Sequence, residues 1–214
     1  MEKREFEKKR YILSIIIGTV LFLLVLGITY SISYFEFQRI SIQQTALAYR
    51  IFEDKLDYSF FDKPICFNES FKNISNDLAF QGTIMNDLEK KFGKGDAQVL
   101  LRKEFYSLIE LEHLEFVNSK IKNCDFNTNT ILFFYSNLNK DLSRSEEVGK
   151  MLTNLYSINS NNLIIYSFDI NLNSTLIHNL LNKYNIEKSP TILVNEKFII
   201  IDPKSVNDIE KYLI

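Results

Sequence analysis

Tryptophan is absent from this chain, and three prolines, two cysteines, two histidines and six glycines are all it has of those types in 214 residues. So little glycine and proline, beside 46% hydrophobic residues, excludes a disordered chain and suits helices and strands joined by short Asn, Ser and Asp turns. Charge of one sign is missing too: 25 basic residues face 27 acidic ones, and no basic patch is interleaved with aromatics. Nucleic acid is therefore not an expected partner. His113 and His178 have no second His or Cys three or four positions on, so no metal is expected. His113, between Glu110, Glu112 and Glu115, reads as part of a solvated helix face. Nucleophile-elbow, Walker A and dinucleotide fingerprints are absent, and no repeat is visible. Glu146 and Glu147 are neighbours on a helix and do not face each other as a dyad would. No catalytic residue and no cofactor is expected.

One long apolar run stands out instead. "YILSIIIGTVLFLLVLGITYSISYF" (11–35) holds no charged residue. As a helix it is about 37 Å long at ~1.5 Å per residue, enough for a hydrocarbon core of ~30 Å with some tilt. Tyr11, Tyr30 and Tyr34 sit where interfacial aromatics belong. Lys3, Arg4, Lys8, Lys9 and Arg10 precede the run and Arg39 is the first basic residue after it, which predicts a cytoplasmic N-terminus and residues 36–214 outside. The expected location is the cell membrane, spanned once. A cleaved signal peptide is the rival reading; "ALA" at 46–48 has the small-x-small form but lies well past the run, which also exceeds the ~7–15 residues of a signal core.

The periodicity then predicts five regions: a basic tail (1–10), a membrane helix (11–35), a helical stalk (36–63), a helical hairpin (64–128) and a C-terminal α/β domain (129–214). The stalk carries Phe37, Ile40, Leu47, Ile51, Phe52 and Leu56, a stripe that docks on the hairpin or on another chain, and Pro64 ends it. Helices over 70–92 and 96–122 flank "GKGD", with a glycine stop and Asp96 as N-cap. Val99, Leu100, Phe105, Leu108, Leu111, Leu114, Val117 and Ile121 form the expected apolar stripe of the second. So short a turn makes the pair antiparallel and brings Cys66 and Cys124 to one end. In an oxidising exterior a disulfide closing the hairpin is expected; a redox-sensing thiol pair and two separately buried cysteines are the alternatives. Sequons at Asn68, Asn73 and Asn173 carry little weight in so Asn-rich a chain.

Beyond residue 129 the pattern is β-α-β-α-β-β-α: strands at 130–136 and 162–170, helices at 143–158 and 174–186, a strand opened by Pro190, a tight turn at "NEK" (195–197), a strand "FIIID" and a last helix "SVNDIEKYLI". Ser143 or Ser145 is the expected cap of the first of these helices. This order, with "LFFY", "IIYSFDI" ending near Asp169, and "KYNIEKSPTILV", resembles the thioredoxin-like fold over about 129–214. The resemblance implies a cis bond before Pro190, a Ser189 backbone open to an extended peptide, and a groove shared with Asn137, Asn139, Lys140 and Thr191. Alternatively, Pro190 merely shapes the loop into its strand. The family's redox helix begins with C-x-x-C, where this chain has Asn139, Lys140, Asp141 and Leu142. Two functions follow as expectations. One is a membrane-anchored, redox-inactive protein-binding module. The other is an extracytoplasmic thiol–disulfide enzyme or sensor using Cys66 and Cys124.

Overall fold

The computed structural model describes residues 2–60, 69–124, 127–160 and 162–214, and the chain divides into two compact units, Met1–Gln43 and Gln44–Ile214. Cys66 and Pro64 lie outside the described residues. In the first unit, helix α1 (Glu2–Phe60) begins. Its apolar stretch is solvent-facing almost throughout, and among the described residues it is the one helix long and apolar enough to cross a membrane, a property that a signal sequence near an N-terminus shares. The hydroxyls of Thr19, Thr29, Ser31 and Ser33 donate to carbonyls four residues back at 2.8–3.1 Å, so each is satisfied inside its own helix. An apolar medium requires this of any polar group.

The second unit starts with the end of α1, which docks on the hairpin. Leu47 and Ile51 are buried, while Phe52 of the expected stripe is exposed. Gln44 Nε2 donates to the Arg102 carbonyl at 3.2 Å, Arg50 pairs with Asp77, and Lys55 Nζ lies 2.8 Å from both Glu112 and Glu115. Helices α2 (Glu69–Phe92) and α3 (Ala97–Cys124) form the antiparallel hairpin. Gly93 at φ 98° terminates α2, a conformation glycine adopts without a Cβ penalty. The Asp96 carboxylate accepts from the Gln98 and Val99 amides at 2.9 and 3.0 Å, capping α3 as expected.

Strands β1 (Asn129–Tyr135), β2 (Leu163–Asp169), β3 (Thr191–Val194) and β4 (Phe198–Ile201) form one sheet in the order β2-β1-β3-β4. β1 and β2 are parallel; β3 runs antiparallel to β1, and β4 to β3. The β3–β4 hairpin turns through Asn195, Glu196 and Lys197, the first two at φ 51°, and the Lys197 amide closes it on the Val194 carbonyl at 3.0 Å. Helix α4 (Asn139–Asn159) lays Val148, Leu152 and Leu155 against Ile131, Phe133, Leu163, Ile192 and Val194. The helices α5 (Thr175–Tyr184) and α6 (Asn207–Glu210) complete the unit, α6 being shorter than the sequence pattern predicts. Helix α4 begins four residues before the expected 143, and neither Ser143 nor Ser145 caps it. Its N-cap position is Leu138, whose carbonyl accepts the Leu142 amide, while Ser136 Oγ takes the Leu138 amide at 3.2 Å.

Candidate functional site

β1 and β2 are parallel and end side by side at Tyr135 and Asp169. The carboxyl edge of parallel strands is where open α/β sheets place their ligands. Here the hairpin adds side chains from above. Lys103 of α3 has a side chain only 4% exposed; its ammonium pairs with Glu89 of α2, lies 2.6 Å from Asp169 Oδ2 and 4.9 Å from the Tyr135 ring centroid. Asn137, just past β1, donates from one amide nitrogen to Glu89 at 2.8 Å and Asp169 at 3.2 Å. Asp169 accepts the Asn171 amide at 3.0 Å on its other oxygen. Two carboxylates thus share one ammonium and the Asn137 amide nitrogen. Charges this deep persist only when so paired.

Beside the network, Ser145 of α4 ties three segments together. Its hydroxyl accepts the Ser136 amide at 3.2 Å and lies 3.3 Å from Ser189 Oγ. The Ser189–Pro190 bond is cis. Pro190 and Thr191 are buried; the Pro190 carbonyl accepts the Asp202 amide at 2.9 Å, and Thr191 Oγ1 donates to the Lys188 carbonyl at 2.8 Å. Among the described residues neither the amide nor the carbonyl of Ser189 makes a hydrogen bond. Asn139 and Lys140 are in the first turn of α4, and Lys140 is exposed. The structure therefore sets Ser189 against α4 at Ser145 and directs the Asn137 amide inward to the ion network.

The expected solvated face of α3 is not one. His113 is fully buried: Nδ1 is 2.9 Å from the Tyr166 hydroxyl and Nε2 is 3.4 Å from Ser75 Oγ. Burial lowers its pKa to about 3, so it is neutral. Glu110 is equally buried, and its Oε1 accepts the Ser167 amide on the outer edge of β2 at 2.8 Å. Burial pushes this carboxyl well above the ordinary carboxylate range, against the opposing pull of that amide. Val99, Lys103, Tyr106, Glu110, His113, Val117 and Lys120 recur at alternating steps of four and three, one helix face, and all are buried. Leu108 and Ile121 of the expected apolar stripe are 40% and 36% exposed. Charged residues in register with Val99 and Val117 were the signal that this face is covered.

Cys124 ends α3 and is disulfide-bonded. Among the described residues no group of three His, Cys, Asp or Glu side chains could hold a metal ion. No protein-family model and no curated protein matches this chain. A solved chain described as "Structure of a malarial protein" is similar over 41% of this chain and all of its own, at 21% identity and a TM-score of 0.33, a likeness too slight to carry any argument.

Proposed function

We propose that this is a single-pass membrane-anchored protein whose thioredoxin-like domain, facing away from the cytoplasm, binds an extended segment of a protein partner without redox chemistry. The observation that carries the reading is Ser189. Its amide and carbonyl make no hydrogen bond among the described residues, beside a helix start that has Asn139, Lys140, Asp141 and Leu142 and no thiol. An open backbone pair is what strand addition uses. The β-α-β-α-β-β-α order and the sheet order support the family reading, and the basic flank before residue 11 supports the orientation. In this reading Cys66 and Cys124 are a structural disulfide at the base of the hairpin.

A photo-crosslinking residue at exposed position 188 tests the binding reading in intact cells. It should capture one discrete partner, and Ser189→Pro, which removes the amide donor, should abolish the adduct. No adduct from position 188, or one indifferent to Ser189→Pro, overturns the proposal. The second reading, thiol–disulfide exchange, draws on the oxidised state of Cys124. Insulin reduction by the full chain separates the two: turnover that disappears in Cys124→Ser would establish the enzyme. Protease added to intact cells should digest the chain beyond about residue 36, and protection of the C-terminal domain would reverse the orientation.

A further inference from the structure

An open cleft of about 1390 Å³ lies between α2 and α4 over β1 and β2. Phe133 and Ile165 form its floor, Gly149 and Tyr156 its α4 wall, and Ala79 and Thr83 its α2 wall. Small-molecule sites are typically ~300–1,000 Å³, so this space suits a long occupant. Its charge is out of line with the rest of the chain. Six lysines (72, 90, 94, 103, 120 and 150) line it against two carboxylates, Glu89 and Glu146, in a protein whose net charge is −2. Lys103 is matched by Glu89 and Asp169. At the start of α4, however, three lysines gather round one acid. Lys94 Nζ lies 2.9 Å from Glu146, and Lys150 and Lys90 act on the same carboxylate from further off. Lys90 also reaches Asp87, at 3.5 Å on the exposed surface.

We propose that this cleft binds a single-chain anionic amphiphile, its head among Lys90, Lys94 and Lys150 and its tail along Phe133, Ile165 and Tyr156. The apolar floor accepts the chain by removing its surface from water. The lysine end selects the sign of the head, because a like charge there would meet three ammoniums. The cleft adjoins the Ser189 groove at Asn137 and Ser145, but the lysine end and the apolar floor do not depend on a peptide binding there. A carboxylate and a phosphate monoester present the same chemistry to these lysines, and the experiment distinguishes them.

Native mass spectrometry of the full chain in a non-ionic detergent, with stearate, stearoyl-lysophosphatidate, octadecanol or octadecyltrimethylammonium added singly, reads the site directly. One adduct per chain is expected with stearate, with the lysophosphatidate or with both, and the stronger of the two identifies the head group. Lys90→Glu with Lys150→Glu, both at exposed positions, should reduce its occupancy at least tenfold. Thr83→Trp, at an exposed wall position, should do so by filling the space. The melting temperature of each variant reports that it is folded. The proposal is overturned if neither anion adds, if octadecanol or the cation adds equally, or if the folded charge variant binds as the parent does, as lipid around the apolar helix would.

Discussion

Lys103 is the residue on which three elements of the second unit converge, and replacing it with methionine keeps the stem while deleting the charge. The loss can be worked from its surroundings. The Glu89 and Asp169 side chains are 9% and 3% exposed, so water cannot take over from the ammonium. Each hydrogen bond to a charged group contributes about 1.5–3 kcal/mol, and removing one partner of a buried ion pair typically costs about 3–5 kcal/mol. For a chain of this length ~1 kcal/mol corresponds to about 2–4 °C in Tm, so Lys103→Met should melt roughly 6–20 °C below the parent. Thermal unfolding of the full chain in mild detergent, followed by tyrosine near-UV circular dichroism, measures it. The control is the triple variant Lys103→Met, Glu89→Gln, Asp169→Asn, which removes the stranded charges and should recover most of the loss. A Lys103→Met protein melting within about 2 °C of the parent would refute the reasoning. A triple variant as unstable as the single one would place the cost in packing instead of charge.

Further outcomes follow at four sites. Because the His113 pKa is lowered to about 3 in the folded chain, the unfolded chain binds the proton first. His113 therefore costs stability as pH falls through its unfolded value of about 6.5, at ~1.4 kcal/mol per unit down to about pH 3, and His113→Gln should lack that slope in urea titrations. Glu110 has the opposite sign: its raised pKa favours the fold fully below the ordinary value of 4.5 and progressively less as pH rises, so the parent should gain stability relative to Glu110→Gln on acidification. Glu110→Ala, which strands the Ser167 amide, should cost about 1–3 kcal/mol at neutral pH, most of it recovered in Glu110→Gln. Asn185, which ends α5 at φ 53°, should tolerate glycine with no loss, whereas valine there should cost about 1–2 kcal/mol in denaturant midpoint. Peptide mapping without reduction should recover Cys66 joined to Cys124, a link worth ~4 kcal/mol by chain entropy; both cysteines alkylated in fresh material would reject it.

Local rules made much of this architecture legible. Periodicity gives the order of the C-terminal elements, Asp96 announces itself as a cap, and "NEK" marks a turn whose two central residues adopt positive φ. The failures have a common physical origin. Glu110 and His113 look like solvent-facing residues because their partners are far along the chain, Ser167 57 residues from Glu110 and Tyr166 53 from His113; Lys103, which no motif singles out, meets Asp169 66 residues away. Periodicity sees only one helix, not what covers it. Asn137 misled differently. Its place after β1 is as expected, but Glu89 arrives from the hairpin to claim its amide. Ser145 was read as a local cap, whereas its hydroxyl serves the end of β1 and approaches Ser189.

The bond from Glu110 to the outer side of β2 has a consequence for how the chain is made. An uncovered strand edge is a template for pairing with other chains, and a nascent polypeptide is most exposed to that hazard while its sheet is incomplete. Glu110 precedes Ser167 by 57 residues, roughly 3–11 s of synthesis at ~5–20 residues per second. The helix that shields the edge is thus finished before the edge exists. A circularly permuted chain with α2 and α3 moved to the end would preserve every contact yet leave β2 bare during its own emergence.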